Sequence, residues 1–105
     1  MSTALKPADF HILLALAQEP RHGYGLMKEV ERESGGMVRL EIGSLYRLLA
    51  RLVESGLIEE EEEDERRRYY RLSRQGRKML KAEAERLAHL VELSRARKLL
   101  PEGRP

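Results

Sequence analysis

Apolar residues recur along the chain at spacings interrupted by strong breakers, and the pattern predicts four helices and one hairpin. Phe10, Leu13, Leu14 and Ala17 stand at i, i+3, i+4 and i+7, the spacing of one helix face. Pro7 suits the first turn of this helix, where its missing N–H costs nothing, and Glu19-Pro20 stops it. A second helix is expected from about Gly23 to Ser34, with Leu26, Met27 and Val30 inward. Gly35-Gly36 closes it, because glycine takes the left-handed C-terminal position without strain. Met37 to Leu40 reads as a short extended strand.

The third helix, about Ile42 to Ser55, is the most informative. Leu45, Leu48, Leu49 and Leu52 form a single apolar stripe. The opposite face carries Gly43, Ser44, Arg47, Ala50, Arg51 and Glu54, with Tyr46 on its flank. After Gly56, Leu57-Ile58 begins a strand, a turn falls near Asp64-Glu65, and Arg67 to Leu72 returns. Ser73 is a good N-cap for a last helix reaching about Lys98. Its expected stripe is Leu80, Ala84, Leu87 and Val91, widened by Met79 and Leu90. Such a helix is about 40 Å long at ~1.5 Å per residue, more than a small domain covers by itself. Leu80, Leu87, Leu90, Val91 and Leu93 are therefore the expected homodimer face.

The length of 105 residues allows one small domain, and 41% hydrophobic residues suffice for a core. With no Cys, the chain has no disulfide, thiolate metal site or thiol nucleophile. No apolar run approaches the ~18 residues of a membrane span, and no basic segment followed by an apolar core opens the chain. The expected location is cytoplasmic, with no membrane partner. The formal charge of +2 conceals a segregation. Every residue from Glu59 to Glu65 is acidic, whereas Arg66 to Lys81 holds eight cations (Arg66, Arg67, Arg68, Arg71, Arg74, Arg77, Lys78, Lys81) and no acid.

The order helix, helix, strand, helix, hairpin, long helix is that of a winged helix-turn-helix domain: mainly α with a small β-hairpin. Residues 1–73 are expected to form that domain and 74–105 a dimerisation helix with a short tail. A third helix with short and cationic side chains outward fits a major groove ~12 Å wide, where arginine binds guanine or clamps phosphate. Ser44, Tyr46, Arg47 and Arg51 are thus the helical candidates for DNA contact, and Arg66, Arg67 and Arg68 those of the hairpin. The bland reading of the hairpin arginines is that they face Glu61 to Glu63 across the strands and are neutralised by them.

The chain resembles the PadR-like transcriptional regulators over about residues 5 to 98. The resemblance is carried by Phe10 to Leu16, His22-Gly23-Tyr24-Gly25, Ile42-Gly43-Ser44-Leu45-Tyr46, Gly56-Leu57-Ile58 and Arg66 to Ser73, in order and register. It implies a dimeric, repressor-type regulator that binds a roughly palindromic DNA operator, with a C-terminal helix making the dimer. It also implies that a small apolar or aromatic effector can enter near that interface. Phe10 as the sole Phe, with no Trp, gives little support to an aromatic-lined effector platform. Two positions depart from the family pattern. Glu41-Ile42 replaces the usual Ser-Pro before Gly-Ser-Leu-Tyr, and Asp64-Glu65 replaces the usual glycine at the hairpin tip. The acidic hairpin favours the alternative of a winged-helix module for protein–protein contact without DNA.

No catalytic constellation is present: there is no Gly-x-Ser-x-Gly elbow and no phosphate-cradling glycine loop. His11, His22 and His89 lack partners at metal-ligand spacing, and the acidic run lacks the spacing of a calcium loop. Neither cofactor, metal nor enzymatic activity is expected.

Overall fold

A computed structural model describes residues 5–102. The elements are α1 (Pro7–Gln18), β1 (Arg21–His22), α2 (Gly23–Glu33), α3 (Ile42–Glu54), β2 (Ile58–Glu62), β3 (Arg68–Leu72) and α4 (Arg74–Ala96). Helices α1, α2 and α3 and the base of the sheet close over one core, whose fully buried members include Ile12, Leu13, Leu26, Val30, Leu45, Leu49 and Ile58. Burying side chains of this size contributes about 1.5–3 kcal/mol each.

The strands form an antiparallel sheet in the order β1-β3-β2. Met37 to Leu40, read from the sequence as a short strand, forms none; the third strand is β1, which pairs Arg21 with Tyr70 and His22 with Tyr69. The 37–40 segment instead folds back on the end of α2. Gly36 N–H donates to Glu31 O at 2.8 Å and Val38 N–H to Ser34 Oγ at 3.0 Å, which takes those groups out of sheet pairing.

Two helices present a different face from the one the apolar spacing favoured. In α1 the buried positions are Asp9, Ile12, Leu13, Ala15 and Leu16, while Leu14 is exposed. The run from Phe10 to Ala17 is apolar almost all round, so periodicity could not choose between two registers. The register that forms carries Asp9 inward, where only 8% of the residue remains exposed. In α4 the inward positions are Gly76, Leu80 and Glu83, with Ala84 and Val91 exposed. Glu83 is tolerated there because Arg86 donates to its carboxylate from Nε at 2.9 Å and Nη2 at 2.7 Å. This fork holds the Glu83 carboxyl below the usual range.

The start of α4 is clamped to the turn after α3. Ser73 Oγ donates to Gly56 O at 2.6 Å and accepts from Gly76 N at 2.9 Å, while Ser73 N–H donates to Leu57 O at 3.1 Å. Gly56, at φ +78°, supplies the left-handed turn that aims Leu57 into the core.

Candidate nucleic-acid interface

Helix α3 packs against α2, with Leu45, Leu49 and Leu52 buried beneath it. Glu41 makes no side-chain cap, so the first turn of α3 opens directly to solvent. Arg47 is exposed and bends back to donate to Ser44 Oγ at 3.3 Å; among the described residues it makes no ion pair. Its neighbour on the same face, Arg51, is placed otherwise. Arg51 Nη2 donates to Asp9 Oδ1 at 2.8 Å and Oδ2 at 3.0 Å, so its guanidinium ties α3 to α1. Tyr46 lies against Gly23, where a methyl group would meet its hydroxyl at 2.6 Å.

The hairpin tip spans residues 63–67, one step wider than the turn the sequence placed at 64–65. Glu62 pairs with Arg68, and Arg67 O accepts from the N–H groups of Glu63 (2.9 Å) and Asp64 (3.3 Å). Arg67 thus lies opposite Glu63, joined through the backbone, while Arg66 faces none of Glu61 to Glu63. Both arginines sit in the turn, free of ion pairs among the described residues. Of the three arginines only Arg68 is paired, diagonally to Glu60 at 2.7 Å. Two further hairpin acids are occupied: Glu61 bonds Tyr69 Oη and Arg71, and Glu63 Oε2 lies 2.6 Å from His22 Nε2. The Glu61 contact raises the Tyr69 hydroxyl above its ordinary range.

Asp64, which the sequence presented as a repulsive tip, does structural work. Its Oδ1 accepts from the backbone N–H groups of Arg66 and Arg67, each at 2.8 Å. These bonds, that from Arg66 first, hold the Asp64 carboxyl below the usual carboxylate range. A carboxylate with a depressed folded pKa favours the turn above the unfolded value of ~3.9 and loses that contribution as pH falls through the folded one. The amide resonances of Arg66 and Arg67 should therefore shift on acidification, with a midpoint below that of an ordinary aspartate, and the transition should vanish in Asp64→Ala. A midpoint at or above ~3.9 would contradict this account.

Between the tip and the start of α2 lies an open cleft of about 550 Å³, lined by residues 19–25, Tyr46 and Arg66 to Arg68. Arg21, His22 and Tyr24 join the candidate surface here. The only signal that could have found them is the His22-Gly23-Tyr24-Gly25 motif, once β1 is recognised as the strand that brings it beside the hairpin. His22 takes the N-cap position of α2 without bonding the helix, its ring going to Glu63 instead. His11 likewise meets a carboxylate, Glu33 Oε1, at 3.1 Å. Among the described residues no group of His, Asp and Glu could hold a metal ion, and no helix is long and apolar enough to cross a membrane.

The expected dimer face is divided. Leu80 is buried in the core of its own protomer, Leu87 and Leu93 are half-buried, and Leu90 and Val91 are exposed. Leu14 of α1, together with Leu99 and Leu100, adds to the exposed apolar residues.

Comparison with known proteins places these features in a family. Residues 12–82 match the family described as "Transcriptional regulator PadR-like family". An uncharacterized 37.1 kDa protein in transposon TN4556 of Streptomyces fradiae is 42% identical over 83 residues, which are 79% of this chain and 24% of that protein. The chain thus spans about a quarter of the length of the curated relative it matches. A transcriptional regulator from Clostridium thermocellum superposes with TM-score 0.71 at 27% identity, covering 84% of this chain and 86% of the other. A PadR-like transcription factor from Bacteroides fragilis gives TM-score 0.72 at 26% identity, covering 85% and 87% respectively.

Proposed function

The chain belongs to the PadR-like family of transcriptional regulators, and from that premise we propose that it binds a roughly palindromic DNA operator as a homodimer and represses transcription. The observation that carries this reading is the distribution of unpaired cations. Among the described residues the guanidinium groups of Arg47 on α3 and of Arg66 and Arg67 at the hairpin tip make no ion pair, the latter two at the rim of the 550 Å³ cleft. Two copies of α3 would enter successive major grooves ~34–36 Å apart, with Ser44 and Arg47 toward the bases. Arg66 and Arg67, with Arg68 once exchanged from Glu60, would meet the backbone beside the groove. Tyr46 closes the cleft floor with its hydroxyl near the same path. Arg51 serves the interface by fixing the angle of α3 through Asp9.

The dimer reading rests on apolar surface that a lone protomer leaves uncovered, chiefly Leu90 and Val91 of α4, with Leu87 and Leu93 of the same helix half-buried and Leu14 of α1 exposed. In this reading residues 74–105 form the dimerisation helix and tail, and residues 1–73 the DNA-binding unit. A small apolar effector seated at that interface would act by differential affinity for two dimer geometries, spreading or closing the pair of α3 helices. Such a regulator works in the cytoplasm and needs neither cofactor nor catalysis.

One observation favours a second reading. The outward edge of the hairpin is acidic, with Glu59 and Glu62 exposed, as suits a module that docks on a basic protein. A single experiment separates the two. The chain is titrated by fluorescence anisotropy against fragments of its own promoter region, with random-sequence duplex of equal length as control, at several salt concentrations. Preferred promoter binding that weakens steeply with salt is expected, with light scattering returning twice the chain mass of 12.2 kDa. No binding to either duplex at low salt would replace this reading with the protein-docking one.

A further inference from the structure

We propose that Ile42 reads the 5-methyl group of a thymine in each half-site, an inference that rests on the DNA-binding reading above. Ile42 is the first residue of α3 and is 61% exposed, although it is a branched aliphatic with no polar atom in its side chain. Helical side chains tilt toward the N-terminus, so a residue at the first position projects past the end of the helix and is not shielded by a preceding turn. Recognition helices of this class enter the major groove with their N-terminal residues against the base edges. Ile42 is therefore the side chain that leads α3 into the groove.

The surroundings keep that approach open. Glu41 folds no cap over the turn. Gly43 and Ser44, which follow, are too small to hold the helix off the bases. Arg47 lies one turn on, its Nη1 3.6 Å from where a Cβ on Gly43 would be. The leading turn thus combines one guanidinium and one aliphatic side chain. Isolated exposed apolar residues such as Met37 are ordinary on protein surfaces. Ile42 differs because it leads the helix that the proposed function sends into the groove, and the unpaired Arg47 guanidinium folds back beside Gly43 and Ser44 in the same leading turn.

The chemistry of the groove then selects the base. Every major-groove edge offers donors and acceptors, and only thymine adds a methyl group. Isoleucine can satisfy none of the polar atoms, so placing it on cytosine N4 or guanine O6 strips them of water without replacement. Against the thymine methyl it buries apolar surface on both partners. Ile42 thereby favours thymine and disfavours the other bases at one position, while Arg47 supplies the hydrogen bonds next to it.

The test removes the methyl group and nothing else. The full chain is used to enrich a preferred duplex from a random pool, and each thymine of that duplex is then replaced in turn by deoxyuridine. One position per half-site should weaken binding about fourfold, the equivalent of about 0.8 kcal/mol for one buried methyl, and about fifteenfold when both half-sites are changed. Ile42→Ala, which touches only an exposed position, should melt like the parent chain. It should bind the thymine and uracil duplexes equally, at the level the parent shows for uracil. Indifference of the parent to every uracil, or undiminished sensitivity in Ile42→Ala, overturns the proposal and leaves DNA binding intact. Failure to enrich any sequence overturns both.

Discussion

Replacing Gly76 with alanine is expected to lower the melting temperature by about 10–20 °C, the equivalent of about 3 kcal/mol in a domain of this size. A methyl group at Gly76 would sit 1.9 Å from Leu57 O and 2.9 Å from Leu57 C. Both are backbone atoms that cannot rotate away. Leu57 O is also held by the N–H of Ser73, whose hydroxyl binds Gly56 O, so α4 could retreat only by releasing its own cap. Gly25→Ala is the control, because nothing lies within 4 Å of a methyl group there and α2 would gain a better helix former. That variant should be stabilised by about 0.5–1 kcal/mol. Equal melting of the two variants would refute the close docking of α4 on the α3–β2 turn.

Arg47→Ala should weaken operator binding by roughly tenfold to a hundredfold with little change in stability, since one well-formed arginine–guanine pair is worth about 1–3 kcal/mol. Arg51→Ala should do the reverse. Removing its guanidinium leaves the Asp9 carboxylate, 8% exposed, without the partner that satisfies both oxygens. Because the arginine itself is half exposed and screened, the expected loss of stability is about 1–2 kcal/mol. Binding by the folded fraction should fall only as far as α3 tilts. Salt series tell how Arg47 acts: a slope smaller by about one marks a phosphate contact, and an unchanged slope with relaxed preference at one base pair marks a base contact. If Arg51→Ala costs more affinity than Arg47→Ala, the assignment of roles along α3 is reversed.

That contrast also shows where the sequence was legible. The two arginines lie on the same face of an amphipathic helix, and nothing local distinguishes them. What separates them is Asp9, 42 positions away, which periodicity had no reason to turn inward. Breakers and caps, by contrast, act on neighbouring residues. Pro7, Gly35-Gly36, Gly56 and Ser73 accordingly place the ends of α1 to α4 within one or two residues of those observed. The hairpin was visible for the same reason, whereas β1 was not: two residues carry no alternation, and their pairing with Tyr69 and Tyr70 is fixed by tertiary packing. Glu83 is a further case, a charge at a core position made acceptable by Arg86 one turn later. In the hairpin, the bland reading set strand arginines against strand acids, beside the reading of Arg66, Arg67 and Arg68 as DNA contacts. The wider turn removed Arg66 and Arg67 from that ladder and left His22 and Arg71 to serve the acids instead.

Among the described residues strand β2 lies at the margin of the sheet, with β3 on its inner side and no strand beyond it. A free margin is a template on which a second chain can add its own strand, the first step of uncontrolled association. From Glu59 to Glu62 this margin carries a carboxylate at every residue, on both surfaces of the pleat. A second copy aligning there would bring like charge against like charge at each pair. In the proposed dimer these glutamates would keep neighbouring hairpins apart, leaving contact between copies to the long helices.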